Sequence, residues 1–534
     1  MPFVLLGRDS TQVAWRNERI HFVRQMCFST AMKDLVPLCE DLVSDTGARI
    51  RGKTLTVRFA NDVRAADAYE AHPEHSDERR IYADRLDATT PDLDAECARP
   101  VWLTVQVPVD AEPGSYRGAF SVRSSSGETC RWPVALKVIG RTLPSSSDRR
   151  FFLDVWQHPL GVARYHRVTP YSPEHYALLK PLWEELASAG QKVITAPVVD
   201  YPWCEGASGS YGGDSADNPI RTLIRYIRHA DGALSFDFSR FDEYVSFCLR
   251  CGLGPQIHCY TLVKFSGKTV YQYVDAVSGQ TKDLSLETGS DEWRAYLSPL
   301  LRALRAHLKE RGWFENAYMA IDEAVPESTR QAYEFLRREF PDFKFAMACN
   351  KAPESFRGIE ADVWSQIAWH DRNTGRPFLD DGFLSTVSAR RSRGLTTTFY
   401  VCVEPRRPNT WMTSDPAEAR WIGQYAAAKG FDGFLRWAYA YWPTDPLVDG
   451  TVTGSPPGED YLVYPHCRLS VRWENLRKGL DDWEKIRILR QDGAMTPELE
   501  KALSGMDFPA AEAADPELFR RQVAAVVRAL EAVE

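Results

Sequence analysis

Short apolar runs rich in β-branched and aromatic residues recur eight times between residues 151 and 439, with amphipathic stretches between most of them. Strands that alternate with helices form parallel sheets, and eight such units favour a closed (β/α)8 barrel of the TIM type. An open, doubly wound sheet is the alternative, although no glycine-rich phosphate loop supports its nucleotide-binding version. The predicted strands are 151–156, 193–198, 255–260, 317–322, 344–349, 362–367, 396–403 and 433–439.

Helical patterns lie between these runs and at the end of the chain. Ser172 followed by Pro173 predicts a helix start, because serine caps the first turn and proline fits its first position. The apolar residues of the tail, from about residue 467, recur at helical spacing and predict C-terminal helices. Other amphipathic patterns cover about 291–311, 327–340 and 414–429.

The N-terminal part of the chain lacks these helical patterns. Strand-like runs such as 101–107 and 132–139 are separated by turn residues, which predicts a β-sandwich. A serine-rich linker at 144–148 follows. The sequence therefore predicts a multidomain protein, with a sandwich domain at 1–145 and a barrel catalytic domain with a helical tail at 150–534.

Composition and charge limit the kinds of partner that this protein can bind. The net charge of −8 comes without a lysine-arginine run, so no nucleic-acid partner is expected. No stretch approaches 18 apolar residues, and we expect no membrane span. The start of the chain does not read as a signal peptide and the cysteines are scattered, which favours a cytoplasmic protein unless a leader was removed.

No metal or organic cofactor is expected. The sequence contains neither an HExxH zinc motif nor a GxSxG nucleophile elbow. Cys248 and Cys251 form a CxxC pair, but no second pair and no nearby histidines complete a zinc site. We expect buried thiols there. The oligomeric state is left open.

The strongest candidate for chemistry is the adjacent pair Asp322 and Glu323, which ends the fourth predicted barrel strand. Barrel active sites form at the carboxyl ends of the strands. Acids near a helix N-terminus are also favoured for structural reasons, so the pair alone does not show that the site is catalytic. Because neighbouring residues of a strand point to opposite sides, both carboxylates can face one pocket only if the backbone bends there.

Aromatic and polar residues at other strand ends suit a neutral sugar, because rings stack on its C–H face and polar groups bind its hydroxyls. Any single ring is more often part of the core. The repetition of such residues at strand ends is what favours a binding pocket. The candidate substrate contacts are His258, Tyr260, Tyr400, Asn409, Trp437, Tyr439 and Trp442.

Several segments, in this order and at these distances, resemble glycoside hydrolase family 123, also catalogued as domain of unknown function 4091. The similarity extends over nearly the whole chain. Besides the acid pair, its markers are Pro113-Gly114-Ser115-Tyr116-Arg117-Gly118, Phe236-Asp237-Phe238-Ser239-Arg240-Phe241-Asp242, Pro408-Asn409-Thr410, Gly433-Phe434-Leu435-Arg436-Trp437-Ala438-Tyr439 and Gly458-Glu459-Asp460-Tyr461-Leu462-Val463-Tyr464-Pro465.

The resemblance implies an exo-acting β-N-acetylgalactosaminidase with substrate-assisted retention, acting on a glycan or oligosaccharide. Asp322 would orient the acetamido group and stay ionised. Glu323 would act as general acid and base and would need a raised pKa. The resemblance also adds Asp460 and Tyr464 to the expected substrate contacts.

Two other functions remain open from the sequence. A different glycosidase on this scaffold would use Glu323 as the acid and a distant carboxylate such as Glu404 as the nucleophile. A non-catalytic carbohydrate-binding protein would keep the pocket without turnover. The intact acid pair argues against the second of these.

Overall fold

The computed structural model describes residues 11–27, 30–67, 69, 75–203, 220–371, 374–452, 454–508 and 515–533. The chain divides into two compact units. The first comprises Met1–Phe151, Arg406–Lys429 and Trp442–Glu534, and the second comprises Phe152–Pro405 and Gly430–Tyr441. The sequence-based division at 145–150 stays a prediction.

In the first unit, two sheets share one apolar core. The six-stranded sheet contains β1 (Gln12–Arg16), β3 (Val36–Cys39), β4 (Leu42–Ser44), β5 (Arg49–Ile50), β9 (Gly114–Arg123) and β10 (Thr129–Thr142). The five-stranded sheet contains β2 (Arg19–Cys27), β6 (Leu55–Asp67), β7 (Ser76–Asp87), β8 (Ala98–Gln106) and β23 (Leu469–Ser470). Leu103 and Val105 from one sheet and Leu136 and Val138 from the other are buried together, so the predicted sandwich is confirmed.

The first unit also contains the last four described helices. The prediction of C-terminal helices is confirmed. The longest of them is buried over most of its length, and its sequence does not predict this because apolar and charged residues are mixed around the helix. The helices are α7 (Pro416–Lys429), α8 (Val471–Gln491), α9 (Pro497–Ser504) and α10 (Pro516–Glu531).

The second unit is built on eight parallel strands, and each predicted barrel strand is confirmed. In chain order the strands are β11 (Phe152–Val155), β12 (Val193–Pro197), β15 (Gln256–Tyr260), β18 (Ala317–Asp322), β19 (Lys344–Cys349), β20 (Val363–Ile367), β21 (Thr396–Val401) and β22 (Gly433–Arg436). Their spatial order is β11-β22-β21-β20-β19-β18-β15-β12. A parallel bridge between Leu153 and Gln191 joins the two ends, so the sheet is a nearly closed barrel rather than an open one.

Helices and a small sheet complete the second unit. Ser172 caps its helix as predicted, because its side chain accepts a hydrogen bond from the backbone N–H of His175. The helices are α1 (Pro159–His166), α2 (Pro173–Ser188), α3 (Ser239–Arg250), α4 (Asp291–Glu310), α5 (Pro326–Glu339) and α6 (Asp381–Ser392). A separate four-stranded sheet contains β13 (Arg225–Arg228), β14 (Leu234–Asp237), β16 (Lys268–Asp275) and β17 (Thr281–Glu287).

Candidate active site

The acid pair lies at the carboxyl end of β18, the fourth barrel strand. All six residues of this strand are buried, Asp322 included, whereas Glu323 is half-buried. Glu323 has a left-handed backbone with φ of 47°, and its N–H donates to the carbonyl oxygen of Ala348 at 3.0 Å. A non-glycine residue in this conformation costs roughly 1–3 kcal/mol. The strand therefore ends in the backbone bend that two adjacent carboxylates need to face one pocket.

Asp322 is buried without a cation among its described contacts. The indole N–H of Trp203 donates to its Oδ2 at 2.8 Å. Burial raises the pKa of Asp322 well above its ordinary value, the charge of Glu323 raises it further, and the Trp203 hydrogen bond opposes both. The structure therefore favours the protonated form of Asp322 in the free protein, and the ionised Asp322 that the resemblance implies stays a prediction for the substrate complex.

Glu323 receives a hydrogen bond at each carboxylate oxygen. The hydroxyl of Tyr400 donates to Oε1, and the side-chain amide of Asn350 donates to Oε2 at 2.9 Å. Burial and the charge of Glu323 raise the pKa of Tyr400 well above its ordinary value, so Tyr400 remains a donor. Both bonds suit a carboxylate, because an ionised carboxyl group only accepts hydrogen bonds.

Aromatic rings surround Trp203. Its centroid lies 4.9 Å from that of Trp156, 5.6 Å from Tyr260 and 6.0 Å from Trp437. Tyr260 and Trp437, two of the predicted substrate contacts, therefore lie beside the residue that binds Asp322. These rings provide an apolar wall next to the acids, which is what a sugar ring stacks on.

His258, another predicted contact, lies deeper in the barrel. It is 1 % exposed, and its Nδ1 lies 3.9 Å from Oδ2 of the equally buried Asp154. Burial lowers the pKa of His258 to about 3 and raises that of Asp154 to about 7. Its ring packs against Tyr260 and Tyr318, so the structure shows it as part of the barrel interior, neutral at ordinary pH.

Tyr439 lies apart from these rings. It is fully buried, and its centroid lies 6.3 Å from that of Trp183 in helix α2. Trp437, two residues earlier, is the residue of this segment that lies beside Trp203. Trp437 therefore lies beside the residue that binds Asp322, and Tyr439 packs against helix α2; a role of either ring in substrate binding stays a prediction.

Four further predicted contacts belong to the first unit, and all are almost completely buried. The backbone N–H of Asn409 donates to Glu418, the indole N–H of Trp442 donates to the carbonyl of Val463, and the hydroxyl of Tyr464 donates to Asp84. The fourth is Asp460. A role of these residues in substrate binding stays a prediction.

The residues that sequence reasoning missed are Trp203 and Asn350. Asn350 is the first residue after β19, so the rule that led to the acid pair, applied to every polar residue at a strand end, would have found it. Trp203 lies in the loop after β12, six residues beyond the strand. No local pattern marks a loop residue at that separation.

Other kinds of site were also compared with the structure. Within the described ranges no three or more His, Cys, Asp and Glu side chains are arranged to bind a metal ion. Cys248 and Cys251 are buried free thiols, as expected. No described helix combines the length and the apolar character that a membrane span requires.

Comparison with known proteins places this geometry in a family. The model of the glycoside hydrolase 123 catalytic domain matches residues 156–489, and that of the glycoside hydrolase 123 N-terminal domain matches residues 4–124. No curated protein matches the chain significantly.

One solved structure has the same fold over nearly the whole chain. It is a family 123 glycoside hydrolase from Clostridium perfringens, described for glycolipid glycan hydrolysis, with 21 % identity and a TM-score of 0.85 over 98 % of this chain and 92 % of that one. A putative glycoside hydrolase from Bacteroides vulgatus has 10 % identity over 92 % of this chain and 80 % of its own, and its TM-score of 0.32 is too low to inform the fold. The two family matches together cover most of the sandwich and of the barrel and include the acid pair, and the chain belongs to glycoside hydrolase family 123.

Proposed function

We propose that this glycoside hydrolase removes terminal β-linked N-acetylgalactosamine from glycans with retention, by a substrate-assisted mechanism. The observation that carries the proposal is the adjacent pair itself. Asp322 is buried against Trp203, and Glu323 is turned by its left-handed backbone toward Tyr400 and Asn350. Adjacent acids cannot attack opposite faces of one sugar, so a nucleophile from the substrate suits this arrangement.

In the first step, the carbonyl oxygen of the substrate's acetamido group attacks the anomeric carbon and the glycosidic bond breaks. Glu323 gives a proton to the departing oxygen, and the acetamido group, which keeps its N–H proton, closes an oxazolinium ring. In the second step, water attacks the anomeric carbon while Glu323 takes a proton from that water, and the oxazolinium ring opens to restore the acetamido group. Two inversions at one carbon give net retention.

The proton must reach Glu323 before the first step. In the free protein, the two hydrogen bonds to Glu323 suit its ionised form, and burial favours the proton on Asp322. The N–H of a bound acetamido group would donate to Asp322 and favour its ionised form. We therefore propose that substrate binding moves the proton from Asp322 to Glu323 and so creates the general acid.

The substrate class includes the glycan part of glycolipids. Glycolipid glycan hydrolysis is described for the Clostridium perfringens enzyme, which has the same fold. Glycolipid glycans that end in β-linked N-acetylgalactosamine are therefore the first natural substrates to test.

The decisive experiment uses nitrophenyl β-glycosides with and without a 2-acetamido group. We expect hydrolysis of the N-acetylgalactosaminide, little of the matching galactoside, and inhibition by an oxazoline-mimicking thiazoline. Equal rates on both sugars, with no thiazoline inhibition, would overturn the proposal. In that case Glu404→Gln is the variant that tests the conventional two-carboxylate mechanism.

A further inference from the structure

His158 is a fully buried histidine just beyond the carboxyl end of β11, where the barrel closes. Strand β11 pairs with β22 along its whole length, and the bridge between Leu153 and Gln191 joins it to the residues just before β12. Trp203 lies in the loop that follows β12, and Trp437 directly follows β22. His158 therefore comes from the strand whose two neighbours carry the rings beside Asp322.

Both ring nitrogens of His158 have a partner in these neighbouring loops. Nε2 lies 3.0 Å from the backbone carbonyl oxygen of Trp437, and Nδ1 lies 3.1 Å from the hydroxyl oxygen of Tyr201. Because a carbonyl oxygen only accepts hydrogen bonds, Nε2 carries the proton, and Nδ1 accepts a hydrogen bond from the Tyr201 hydroxyl. The two bonds fix one tautomer and one orientation of the ring between the loops after β12 and β22.

His158 makes these bonds as a neutral group. Burial lowers its pKa to about 4, and the hydrogen bond to Trp437 opposes this effect. The titratable and charged groups around the ring are the phenols of Tyr201 and Tyr441 and, 5.2 Å from the Tyr441 centroid, the guanidinium of Arg164. A change of activity with pH above pH 5 therefore does not come from titration of His158 itself.

The ring contacts of His158 extend to the donor of Asp322. Its centroid lies 4.7 Å from that of Trp203 and 4.7 Å from that of Trp437, both in edge-on contact. Tyr201 packs edge-on against Trp203 at 5.4 Å and precedes it by two residues. The bond from Tyr201 to His158 therefore anchors the same loop from which the Trp203 indole N–H donates to Asp322 at 2.8 Å.

We propose that His158 is a positioning residue of this site. It holds the Trp203 indole where its N–H donates to Asp322, and it thereby sets how readily Asp322 releases its proton. The inference rests on the proposed function, in which substrate binding moves that proton to Glu323. A hydrogen bond to a carboxylate favours the ionised form, so a displaced Trp203 would leave the proton more firmly on Asp322.

The pH dependence expected from this arrangement involves the acid pair alone. The titratable groups that interact with Asp322 are Glu323, Tyr260, Cys349 and Tyr400. Burial raises the pKa of the two phenols and of the thiol well above their ordinary values, so these three groups keep their protons near neutral pH. Glu323 is therefore the group that exchanges a proton with Asp322.

The test measures kcat/KM against pH for the full-length protein on a disaccharide with terminal β-linked N-acetylgalactosamine, whose leaving group needs the proton. The basic limb of this profile reports loss of the proton from the free acid pair. His158→Phe keeps a ring and loses both hydrogen bonds. It should move the basic limb upward by at least about 0.5 pH unit and lower the plateau at least about threefold, because a proton held more tightly on Asp322 is transferred less readily to Glu323. An unmoved basic limb would overturn the inference.

His175 provides the matched control. It is also fully buried, and burial lowers its pKa to about 4. Its Nε2 donates to the carbonyl oxygen of Pro159 and its Nδ1 accepts from the backbone N–H of Tyr171, both at 2.9 Å, and its described ring contacts do not include Trp203. His175→Phe should leave the basic limb in place. An equal shift in both variants would show a general effect of the substitution and would contradict the assignment to His158.

A double variant tests whether His158 acts through Trp203. Trp203→Phe removes the donor itself and should move the basic limb upward by about 1–2 pH units, which is what a hydrogen bond to a charged group contributes. Adding His158→Phe should move the limb no further. Additive shifts would show that His158 affects the acid pair by another route, and the inference would be wrong.

Tyr201→Phe keeps the inference testable if His158→Phe does not fold. It removes one hydroxyl group and retains the ring that packs against Trp203. The basic limb should move in the same direction as in Trp203→Phe and by less. A profile identical to that of the wild type would count against the role of His158.

The wild-type protein separates this inference from the proposed function. If it does not hydrolyse β-N-acetylgalactosaminides, the proposed function fails, and the role of His158 fails with it. If the wild type is active and neither His158→Phe nor Tyr201→Phe moves the basic limb, the proposed function stands and the positioning role alone is overturned.

Discussion

Buried carboxylates occur in both units, and their surroundings differ. In the first unit Glu18 pairs with Lys478 and Lys485, and Asp482 receives two hydrogen bonds from Arg420. Burial alone would raise the pKa of each, but the cations outweigh it and lower the pKa of Glu18 to about 2. Asp322 in the barrel has no cation among its described contacts, and its pKa is raised.

The difference separates two uses of a buried acid. A carboxylate neutralised by a cation stays ionised, and removing one partner strands the other charge in the interior. A carboxyl group buried without a cation favours its protonated form, and such groups cluster where proton transfer is needed. We therefore propose that Glu18 and Asp482 serve stability and that Asp322 serves chemistry.

The largest expected effect is on activity. Glu323→Gln removes the proton donor and should lower kcat/KM on a disaccharide by roughly 10²–10⁴-fold. A nitrophenolate leaving group needs little protonation, so the first step should suffer less with an aryl substrate. Asp322→Asn leaves the donor and loses the orientation of the acetamide, so its defect should not depend on the leaving group. If the two variants depended equally on the leaving group, the roles assigned to Glu323 and Asp322 would be overturned.

The next effect concerns stability in the first unit. Glu18→Ala leaves Lys478 and Lys485 buried without their acid, and we expect a loss of about 3–5 kcal/mol in the free energy of unfolding, measured by denaturant titration. Glu78→Ala is the matched control, since Glu78 is exposed and only weakly paired with Arg80. A loss below about 1 kcal/mol at Glu18 would show that the network adds little to stability.

The barrel was predictable because its strands are marked locally. Runs such as 317–322 are apolar on both faces and end in polar residues, and this pattern survives without knowledge of any neighbour. The position of the acid pair follows from the same rule. The contacts of the pair do not follow from this rule, because Trp203 and Tyr400 lie in a loop and a strand more than 75 residues away along the chain.

Side-chain direction after a strand end was less predictable. Trp437 and Tyr439 both follow β22 with the same parity, yet one ring lies beside Trp203 and the other against helix α2. Side chains alternate between the two faces of a sheet only within the strand. Beyond its end, an odd or even position no longer determines where a side chain points. The ion pairs of Glu18 could not be predicted for another reason. Its partner Lys478 lies 460 residues away along the chain, and a lysine in a helix is normally predicted to be exposed to solvent.

Acid should weaken the first unit in a defined window. The folded pKa of Glu18 is about 2 and its ordinary value is 4.5, so its contribution is complete above pH 4.5 and is lost as the pH falls toward 2. The difference corresponds to about 3 kcal/mol. Glu18→Gln does not titrate, so its free energy of unfolding should fall less than that of the wild type between pH 5 and pH 2. Parallel curves for the two proteins would contradict this.

The smallest effect should have the opposite sign. Because the folded pKa of Asp322 is raised above its ordinary 3.8, the folded state binds this proton more tightly, and stability falls as the pH rises from about 4 toward the folded pKa. Asp322→Asn has no proton to lose and should therefore unfold at a higher temperature than the wild type, with a gain that grows over this range. The gain should be smaller than the loss at Glu18→Ala, because Asp322→Asn leaves no partner charge unpaired in the interior. Asp482→Asn is the control. The same substitution there weakens the bond to Arg420 and should lower the unfolding temperature. If Asp322→Asn also lowered the unfolding temperature, some group would have to stabilise the ionised form of Asp322. The contrast between Asp322 and the cation-paired acids would then not hold.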